Sequence, residues 1–276
     1  MDVSAHCAAI VRAGDRDLYL SDLLAPQGIR AELFALHAFA VEVASLRDKV
    51  KEPMLGEIRL QWWRDALRGD HGGSPVASTL ALAIARRGLP IDAFDNVLQA
   101  RIFDLYDDPM PSIGDYEGYA GDTASAIIQL GAIILAGGMS AGTATAAGYA
   151  GVAQSITRML ADLPGSAARG QCFIPADRLA AAGTSPDDLR TGRTTAGLRA
   201  VVQELVAVAR ERLTQSRDSL AGVDKAVLPA FLPIAVLESD LKAVSSPARD
   251  PLRDVVTLSP LRRQWMIWRA ARRGRP

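Results

Sequence analysis

Apolar residues recur at intervals of three and four along almost the whole chain, which is the spacing of one face of an α-helix. One such stripe consists of Ile29, Leu33, Leu36, Ala40 and Val43. The alternation of apolar and polar residues that is typical of a β-strand is nearly absent. The pattern therefore predicts an all-α fold.

Proline and glycine residues separate the periodic stretches and set the boundaries of the predicted helices. Helices are predicted at residues 3–13, 16–24, 27–50, 54–68, 75–87, 91–106, 113–137, 142–161, 194–221, 226–245 and 259–273, with short helices within 175–190. Small side chains abound in residues 120–153, where helices can approach closely or leave a cavity. No low-complexity linker and no repeat of fixed period interrupts the series, so we predict one domain over residues 1–276.

The charge balance argues against nucleic acid as a partner. The chain of 276 residues has 31 Lys and Arg residues and 31 Asp and Glu residues, so its net charge gives no field that would attract a polyanion. Its two cysteines, Cys7 and Cys172, are too few for a disulfide framework or a zinc site. They favour a reducing compartment, and we expect a cytoplasmic location.

The sequence predicts no secretory signal and no transmembrane span. The longest predominantly apolar run, residues 124–137, is shorter than the roughly 20 residues that a helix needs to cross a bilayer. Residues 258–276 are predicted to form a basic amphipathic helix, because Leu261, Trp265 and Trp268 lie among six arginines. Two alternatives are open for this helix. It contacts an anionic membrane surface or an acidic partner, or its apolar side packs on the rest of the protein.

Two segments carry the residues of a family resemblance. The first contains ALHAF at residues 35–39 and LQWWRD at residues 60–65, and the second is GVAQSITRMLADLPGSAARGQCFIP at residues 151–175. The first resembles the opening aspartate-rich segment of squalene and phytoene synthases, and the second resembles their wording LRDVxEDxxxGRxYLP. The resemblance spans residues 15–240. It implies the isoprenoid (terpenoid) synthase-like fold, a helical bundle around a central cavity.

The resemblance also implies a reaction. In that family, Mg²⁺ ions held by paired aspartates stabilise the charge that develops when a prenyl diphosphate ionises. The family's glycine and proline align with Gly170 and Pro175. Its metal-binding positions then fall on Ala44, Ser45, Asp48, Asp162, Gly165 and Ser166. Each of the two acidic sets has kept one carboxylate.

Helical spacing places the surviving acids on the faces that the resemblance assigns to the cavity. Asp48 and Asp162 are the candidate metal ligands and, if the chain is active, its catalytic residues. The candidate substrate-binding residues are His37, which takes the place of a family tyrosine, Ser155 and Arg158. Because Arg158 lies one turn before Asp162, we expect these two residues to form an ion pair that repels a metal.

Three strings are similar to one branch of the family, which includes a mitochondrial complex I assembly factor and its alphaproteobacterial relatives. They are MLGEIRLQWWRDAL at 54–67, DLYDDPMPS at 104–112 and DYEGYAGDTAS at 115–125. Members of this branch share the synthase scaffold and lack much of the metal chemistry. The resemblance thus predicts a pseudoenzyme without a cofactor that acts in respiratory complex I assembly or binds a lipid, an isoprenoid or a protein partner. We expect it in the cytoplasm, with peripheral contact at the inner face of the membrane.

Two alternatives are open. The first is an active prenyltransferase that condenses farnesyl or geranylgeranyl diphosphate, since Mg²⁺ can be held by one or two carboxylates, here Asp48 and Asp162, plus substrate phosphates. The second is a helical adaptor whose cavity is filled by side chains. An open apolar cavity with both acids on its wall would favour ligand binding or chemistry over the adaptor.

Two other features are interpreted as structural. Asp104, Asp107 and Asp108 mimic a metal motif, but they run directly into a proline-rich turn, so we expect solvated acids at a helix end. The adjacent Trp62 and Trp63 cannot share a helix face. One is expected in the core and the other at a groove or the cavity wall.

Overall fold

The computed structural model describes residues 3–256 and 258–276, and these residues contain no β-strand. Met1, Asp2 and Thr257 of the predicted domain lie outside the described residues. The α-helices, numbered in chain order, are α1 Val3–Gly14, α2 Arg16–Leu23, α3 Arg30–Ala44, α4 Leu46–Lys49, α5 Pro53–Leu67, α6 Pro75–Arg87, α7 Ile91–Ala100, α8 Ile113–Ala120, α9 Ala126–Leu135, α10 Ala144–Ala161, α11 Leu163–Ala168, α12 Ala176–Ala181, α13 Pro186–Arg190, α14 Ala196–Ser219, α15 Leu237–Val244 and α16 Pro260–Arg273. The prediction of an all-α fold is confirmed.

Two prolines change the type of one predicted helix. The stretch predicted as an α-helix at 226–245 begins as a 3₁₀ segment, Lys225–Val236, and becomes α-helical only in α15. Pro229 and Pro233 lie inside the 3₁₀ segment. A proline ring has no N–H to donate and collides with the preceding turn of an α-helix, so the α-helical form begins only after the last proline.

The helix predicted at 113–137 is continuous over Ile113–Leu135, and a π-helical segment, Gly121–Ser125, joins α8 to α9. By length and composition this helix could cross a membrane, but 56% of its most apolar window is buried in the protein. The helix is thus longer than the short apolar run predicted, and more than half of that window packs within the bundle.

The core consists of two main clusters of buried side chains. The first lies among α1, α3, α5, α6, α7 and α9, and the second among α8, α10, α11, α12, α14 and α15. Helix α10 belongs to both, because Ala146 and Ala150 pack in the first cluster while Ile156 and Leu160 pack in the second. The candidate site lies where α10 passes α3.

The two adjacent tryptophans differ in burial, although their rings stay in edge-on contact with centroids 5.1 Å apart. Trp63 is fully buried and packs edge-on against Phe39, with ring centroids 5.0 Å apart. Trp62 stays on the outer face of α5, where the guanidinium of Arg59 lies 4.0 Å from its ring centroid. The core place of one tryptophan is confirmed, and the other belongs to the outer surface.

Small residues allow α10 to touch the π-helical segment. A side chain added at Gly151 would place its Cβ 2.3 Å from the backbone nitrogen of Ser125. The Ser125 hydroxyl donates a hydrogen bond to the carbonyl of Gly148, one turn earlier on α10, at 3.0 Å. The close approach predicted for residues 120–153 is therefore present at this crossing.

Two glycines on α10 give opposite expectations for the same substitution. Gly151→Ala forces α10 away from a backbone that cannot yield, so we expect the free energy of unfolding to fall by roughly 1–3 kcal/mol. Gly148→Ala has nothing within 4 Å of the new Cβ. It should raise stability by about 0.5–1 kcal/mol, because alanine favours the helix. Urea unfolding of both variants measures the difference, and equal effects would show that the crossing is not close packed.

Candidate functional site

A cavity opens between α3, α4, α10 and α11 and has two connected parts. The mouth has a volume of about 350 Å³ and the inner part a volume of about 260 Å³. Both parts share Ala44, Arg101 and Ala124 in their walls. The π-helical segment supplies Thr123 and Ala124, so the local widening of that helix contributes directly to the cavity wall.

The five predicted site residues line this cavity. Ser155 and Asp162 lie at the mouth, His37 lies in the inner part, and Asp48 and Arg158 line both. The faces read from helical spacing are thus the faces that the bundle turns inward. Placement alone assigns no role, and the contacts of each side chain decide what it can do.

Arg169 lies between the two surviving acids. Its Nη2 is 3.0 Å from Oδ2 of Asp162, and its Nε is 3.7 Å from Oδ1 of Asp48. The side chains of Arg169, Asp162 and Asp48 are 40%, 63% and 60% exposed, so the group forms the rim of the mouth. The chain itself therefore places a cation between the two carboxylates.

The expected ion pair between Arg158 and Asp162 is wrong. Arg158 pairs with Asp15, whose other carboxylate oxygen caps the start of α2 by accepting from the backbone of Asp17 and Leu18. Asp162 is the C-cap of α10 and the N-cap of α11, and its carboxylate pairs with Arg169 instead.

The start of α11 explains how Arg169 returns to Asp162. Pro164, expected to break the helix, occupies the first turn of α11, where its missing N–H has no consequence. A Cβ at Gly165 would lie 2.6 Å from Oδ1 of Asp162, so the absence of a side chain leaves room for the ion pair. Ser166 is buried, and its hydroxyl donates to the carbonyl of Asp162 at 3.2 Å. The two positions where the resemblance expects acids thus support the arginine.

The donor set does not fit Mg²⁺. Magnesium requires oxygen ligands in near-octahedral geometry at short distance. Within residues 3–256 and 258–276, no three His, Cys, Asp or Glu side chains come close enough to hold a metal ion. The two candidate ligands, Asp48 and Asp162, face a guanidinium that offers only donors.

Behind the mouth lies a buried polar network. Nη1 of Arg101 donates to Oδ2 of Asp104 and to the hydroxyl of Tyr119, each at 2.8 Å, and that hydroxyl donates to the other Asp104 oxygen at 2.7 Å. Burial raises the pKa of Tyr119 well above its ordinary value, so the phenol stays neutral. The side chain of Gln171, which stands where the family wording has arginine, donates to the Asp104 carbonyl at 2.9 Å.

This network corrects one expectation about the DLYDD string. Asp104 was expected at the surface, yet it is buried by its contacts with Arg101 and Tyr119. Asp107 and Asp108 are exposed, as expected for acids at the end of a helix. Arg101 is a local partner three residues away, but Tyr119 on α8 cannot be read from local spacing, which is why Asp104 was misplaced.

His37 is held by a residue that sequence reasoning missed. Its Nδ1 lies 2.8 Å from Oδ2 of Asp22, and both side chains are buried. Burial disfavours the charged imidazole, but the Asp22 carboxylate outweighs burial and raises the pKa of His37. For Asp22, burial disfavours the charged carboxylate and therefore raises the pKa. One ring nitrogen is thus occupied, and Nε2 faces α9 near Gly131.

Arg169 was also missed, although one signal was available. It follows Asp162 by seven residues, which is two helical turns, so both can lie on one face if the helix continues. Interpreting Pro164 as a helix break removed that possibility. Proline at the start of a new helix would have restored it.

The arginine bridge predicts a response to metal. Wild-type protein should show no rise in melting temperature with millimolar Mg²⁺, because the positive charge of Arg169 already lies between Asp48 and Asp162. Arg169→Gln leaves two like charges facing each other, so Mg²⁺ should raise the melting temperature of this variant by mass action. Adding Asp162→Asn to Arg169→Gln should remove that rise. A rise of several degrees for the wild type would show instead that Arg169 moves aside for the metal.

Comparisons with known proteins agree with the geometry. The sequence profile of the family described as squalene/phytoene synthase matches residues 11–265. NADH dehydrogenase (ubiquinone) complex I, assembly factor 6, of Rattus norvegicus is 30% identical over 276 residues, which cover 97% of this chain and 83% of that protein. Phytoene synthase of Thermus thermophilus is 29% identical over 219 residues, which cover 78% and 72% of the two chains.

A solved structure has the same arrangement of helices. The crystal structure of a dehydrosqualene synthase in complex with ligand superposes with a TM-score of 0.77 over 98% of this chain and 96% of that chain. The two sequences are 19% identical, so this likeness concerns the fold. The predicted helical bundle around a central cavity is confirmed.

Proposed function

The chain belongs to the squalene/phytoene synthase family and has the isoprenoid synthase fold, and we propose that it is a non-catalytic member that acts in the assembly of respiratory complex I. The observation that carries this proposal is the position of Arg169 between Asp48 and Asp162. A guanidinium stays charged at physiological pH and has no lone pair for a metal. It bridges both acids and offsets one of their two charges without recreating a magnesium site.

The charge balance at the mouth supports the absence of catalysis. Release of a diphosphate requires preorganised positive charge at the leaving group. The charge of Arg169 is shared by two carboxylates, and that of Arg158 is matched by Asp15. Little positive charge therefore remains for an ionising substrate.

The open cavity supports the binding of a lipid or an isoprenoid. Apolar side chains of the inner part, among them Val41, Ile127 and Ile128, lie beside the charged groups of Asp48 and Arg158, which line both parts. This mixed lining suits an amphiphile, whose apolar chain would contact the former and whose polar group would contact the latter. An adaptor with a filled core does not have such a cavity.

The role in complex I assembly rests on the similarity to the assembly factor of rat. This chain covers 83% of the length of that relative, and the similarity extends over nearly the whole chain. We place the protein in the cytoplasm, at the inner face of the membrane. There it would meet a membrane-bound respiratory complex.

The second candidate function is an active prenyltransferase. It is favoured by the presence of Asp48 and Asp162 at one cavity mouth and by the similarity to a phytoene synthase. It requires that Arg169 leave both acids when substrate and Mg²⁺ bind. The Arg169 side chain is 40% exposed, so it has room to move toward solvent, and an assay can test whether it does.

An assay with farnesyl and geranylgeranyl diphosphate in the presence of Mg²⁺ separates the two functions. We expect no release of diphosphate above background, because the family's paired carboxylates are reduced to single, arginine-bridged acids. The Thermus phytoene synthase serves as the positive control. Robust release of diphosphate by the wild type, abolished by Asp48→Asn, would contradict the non-catalytic proposal.

The assembly role predicts complementation that does not depend on the acids. The chain, supplied with a mitochondrial leader, should restore complex I in cells that lack assembly factor 6, as measured on native gels. The double variant Asp48→Asn/Asp162→Asn should restore it equally well, because no metal chemistry is needed. Restoration by the wild type alone would tie the assembly role to those carboxylates, and restoration by neither would refute the role itself.

A further inference from the structure

Helix α16 presents two stripes on opposite sides. The inner stripe contains Ile267 and Ala270, which are buried against the 3₁₀ segment Lys225–Val236. The outer stripe contains Leu261, Trp265, Trp268 and Arg272, which are four, three and four residues apart. The inner side has the same spacing, from Arg263 through Ile267 and Ala270 to Gly274. At about 100° per residue, Arg263 and Trp265 are about 200° apart around the axis. The helix packs on the bundle and still has a free face.

Two ion pairs hold the inner side of α16. Arg263 donates to Asp17 on α2 at 2.5 Å and to Asp240 on α15 at 2.6 Å. All three side chains are largely buried. These ion pairs fix the orientation of α16. The fold itself therefore exposes the residues on the other side of this helix. The two alternatives left open by the sequence are therefore compatible.

The outer stripe is apolar and aromatic. Leu261, Trp265 and Trp268 are 78%, 52% and 49% exposed. The guanidinium groups of Arg269 and Arg272 lie 4.9 and 5.3 Å from the ring centroids of Trp265 and Trp268, respectively. Stacked arginine and tryptophan pairs combine an apolar surface with positive charge, as suits the boundary between lipid chains and headgroups.

The charge of this face is positive and uncompensated. Residues 258–276 contain six arginines and no acidic residue. Arg263 forms ion pairs, and no ion pair within the described part of the chain involves the other five, Arg262, Arg269, Arg272, Arg273 and Arg275. At the mouth of the central cavity, by contrast, each arginine forms an ion pair with an aspartate.

A groove beside the stripe extends the positive surface. It has a volume of about 1010 Å³ and lies between α16 and the turn after α14. Its basic residues are Arg217, Lys225, Arg262, Arg269, Arg273 and Arg275, and its acidic residues are Asp218 and Asp224. Six positive and two negative charges leave an excess of four.

We propose that the outer stripe of α16 and this groove dock on an anionic phospholipid bilayer. Trp265, Trp268 and Leu261 enter the interfacial layer, and the groove receives phosphate headgroups. A lipid surface fits better than an acidic protein because the arginines surround exposed tryptophans, whose rings are amphipathic, on one convex helix face. The site lies on a different surface from the central cavity and does not depend on its contents.

Flotation with vesicles tests the proposal on the whole chain. Wild-type protein should float with vesicles of equimolar phosphatidylcholine and phosphatidylglycerol at low salt, and not with phosphatidylcholine alone. Trp265→Ser/Trp268→Ser should lower the bound fraction, because these two rings supply the aromatic contact with the interfacial layer. Arg269→Gln/Arg273→Gln should lower partitioning on the order of fivefold for each arginine removed.

Two control variants remove the same chemistry elsewhere. Leu82→Ser/Met139→Ser deletes apolar side chains that are 71% and 72% exposed. Arg86→Gln/Arg253→Gln removes two arginines whose side chains are 72% and 76% exposed. Both should float like the wild type. Unchanged melting temperatures would show that α16 remains packed in the two α16 variants, since the inner stripe is not altered.

Several results would overturn the proposal. These are failure of the wild type to float with anionic vesicles, equal loss in the controls, or binding that high salt does not weaken. Release by millimolar inorganic phosphate would identify the groove as a site for soluble anions. Loss of an acidic protein partner from the α16 variants without any change in flotation would identify the face as a protein interface.

Discussion

The contact between α10 and the π-helical segment at Gly151 determines the geometry of the candidate site. Because the backbone of Ser125 occupies the space where a side chain at Gly151 would lie, α10 has one position along this crossing. That position turns Ser155, Arg158 and Asp162 toward the cavity and brings the end of α10 near Asp48. A rigid crossing of this kind gives the mouth a width that one arginine side chain can span.

The arginines at the mouth are paired within the protein. Four arginines line the mouth, and each has a carboxylate partner: Arg47 with Asp107, Arg101 with Asp104, Arg158 with Asp15, and Arg169 with Asp48 and Asp162. The Arg101–Asp104 pair is largely buried, whereas the exposed pairs of Arg169 contribute only about 0–1 kcal/mol each and are a small source of stability. The importance of this arrangement is electrostatic. Four guanidinium groups face five carboxylates, which leaves a single excess negative charge without a bound cation.

The sequence predicted what depends on local spacing and failed where distant parts of the chain meet. Helical periods located the bundle and the faces that line the cavity. The partner of Arg158 was wrong because a pair one turn apart contributes only about 0.2–0.5 kcal/mol, and Asp15, which lies 143 residues away, is within reach. The burial of Asp104 was missed for the same reason. Its partner Tyr119 belongs to another helix.

An arginine in place of a metal ion removes the need for a ligand that separates the two carboxylates. Carboxylates that face each other without a cation repel, so a metal-dependent site is stabilised by the arrival of its ligand. In this chain Gly165 leaves the space, α11 brings Arg169 back, and the repulsion between Asp48 and Asp162 is removed within the protein itself. The bundle thus reaches its final charge state on folding. A scaffold of this kind can present its cavity and the outer face of α16 at all times, which suits a binding role better than a cycle of metal-dependent turnover.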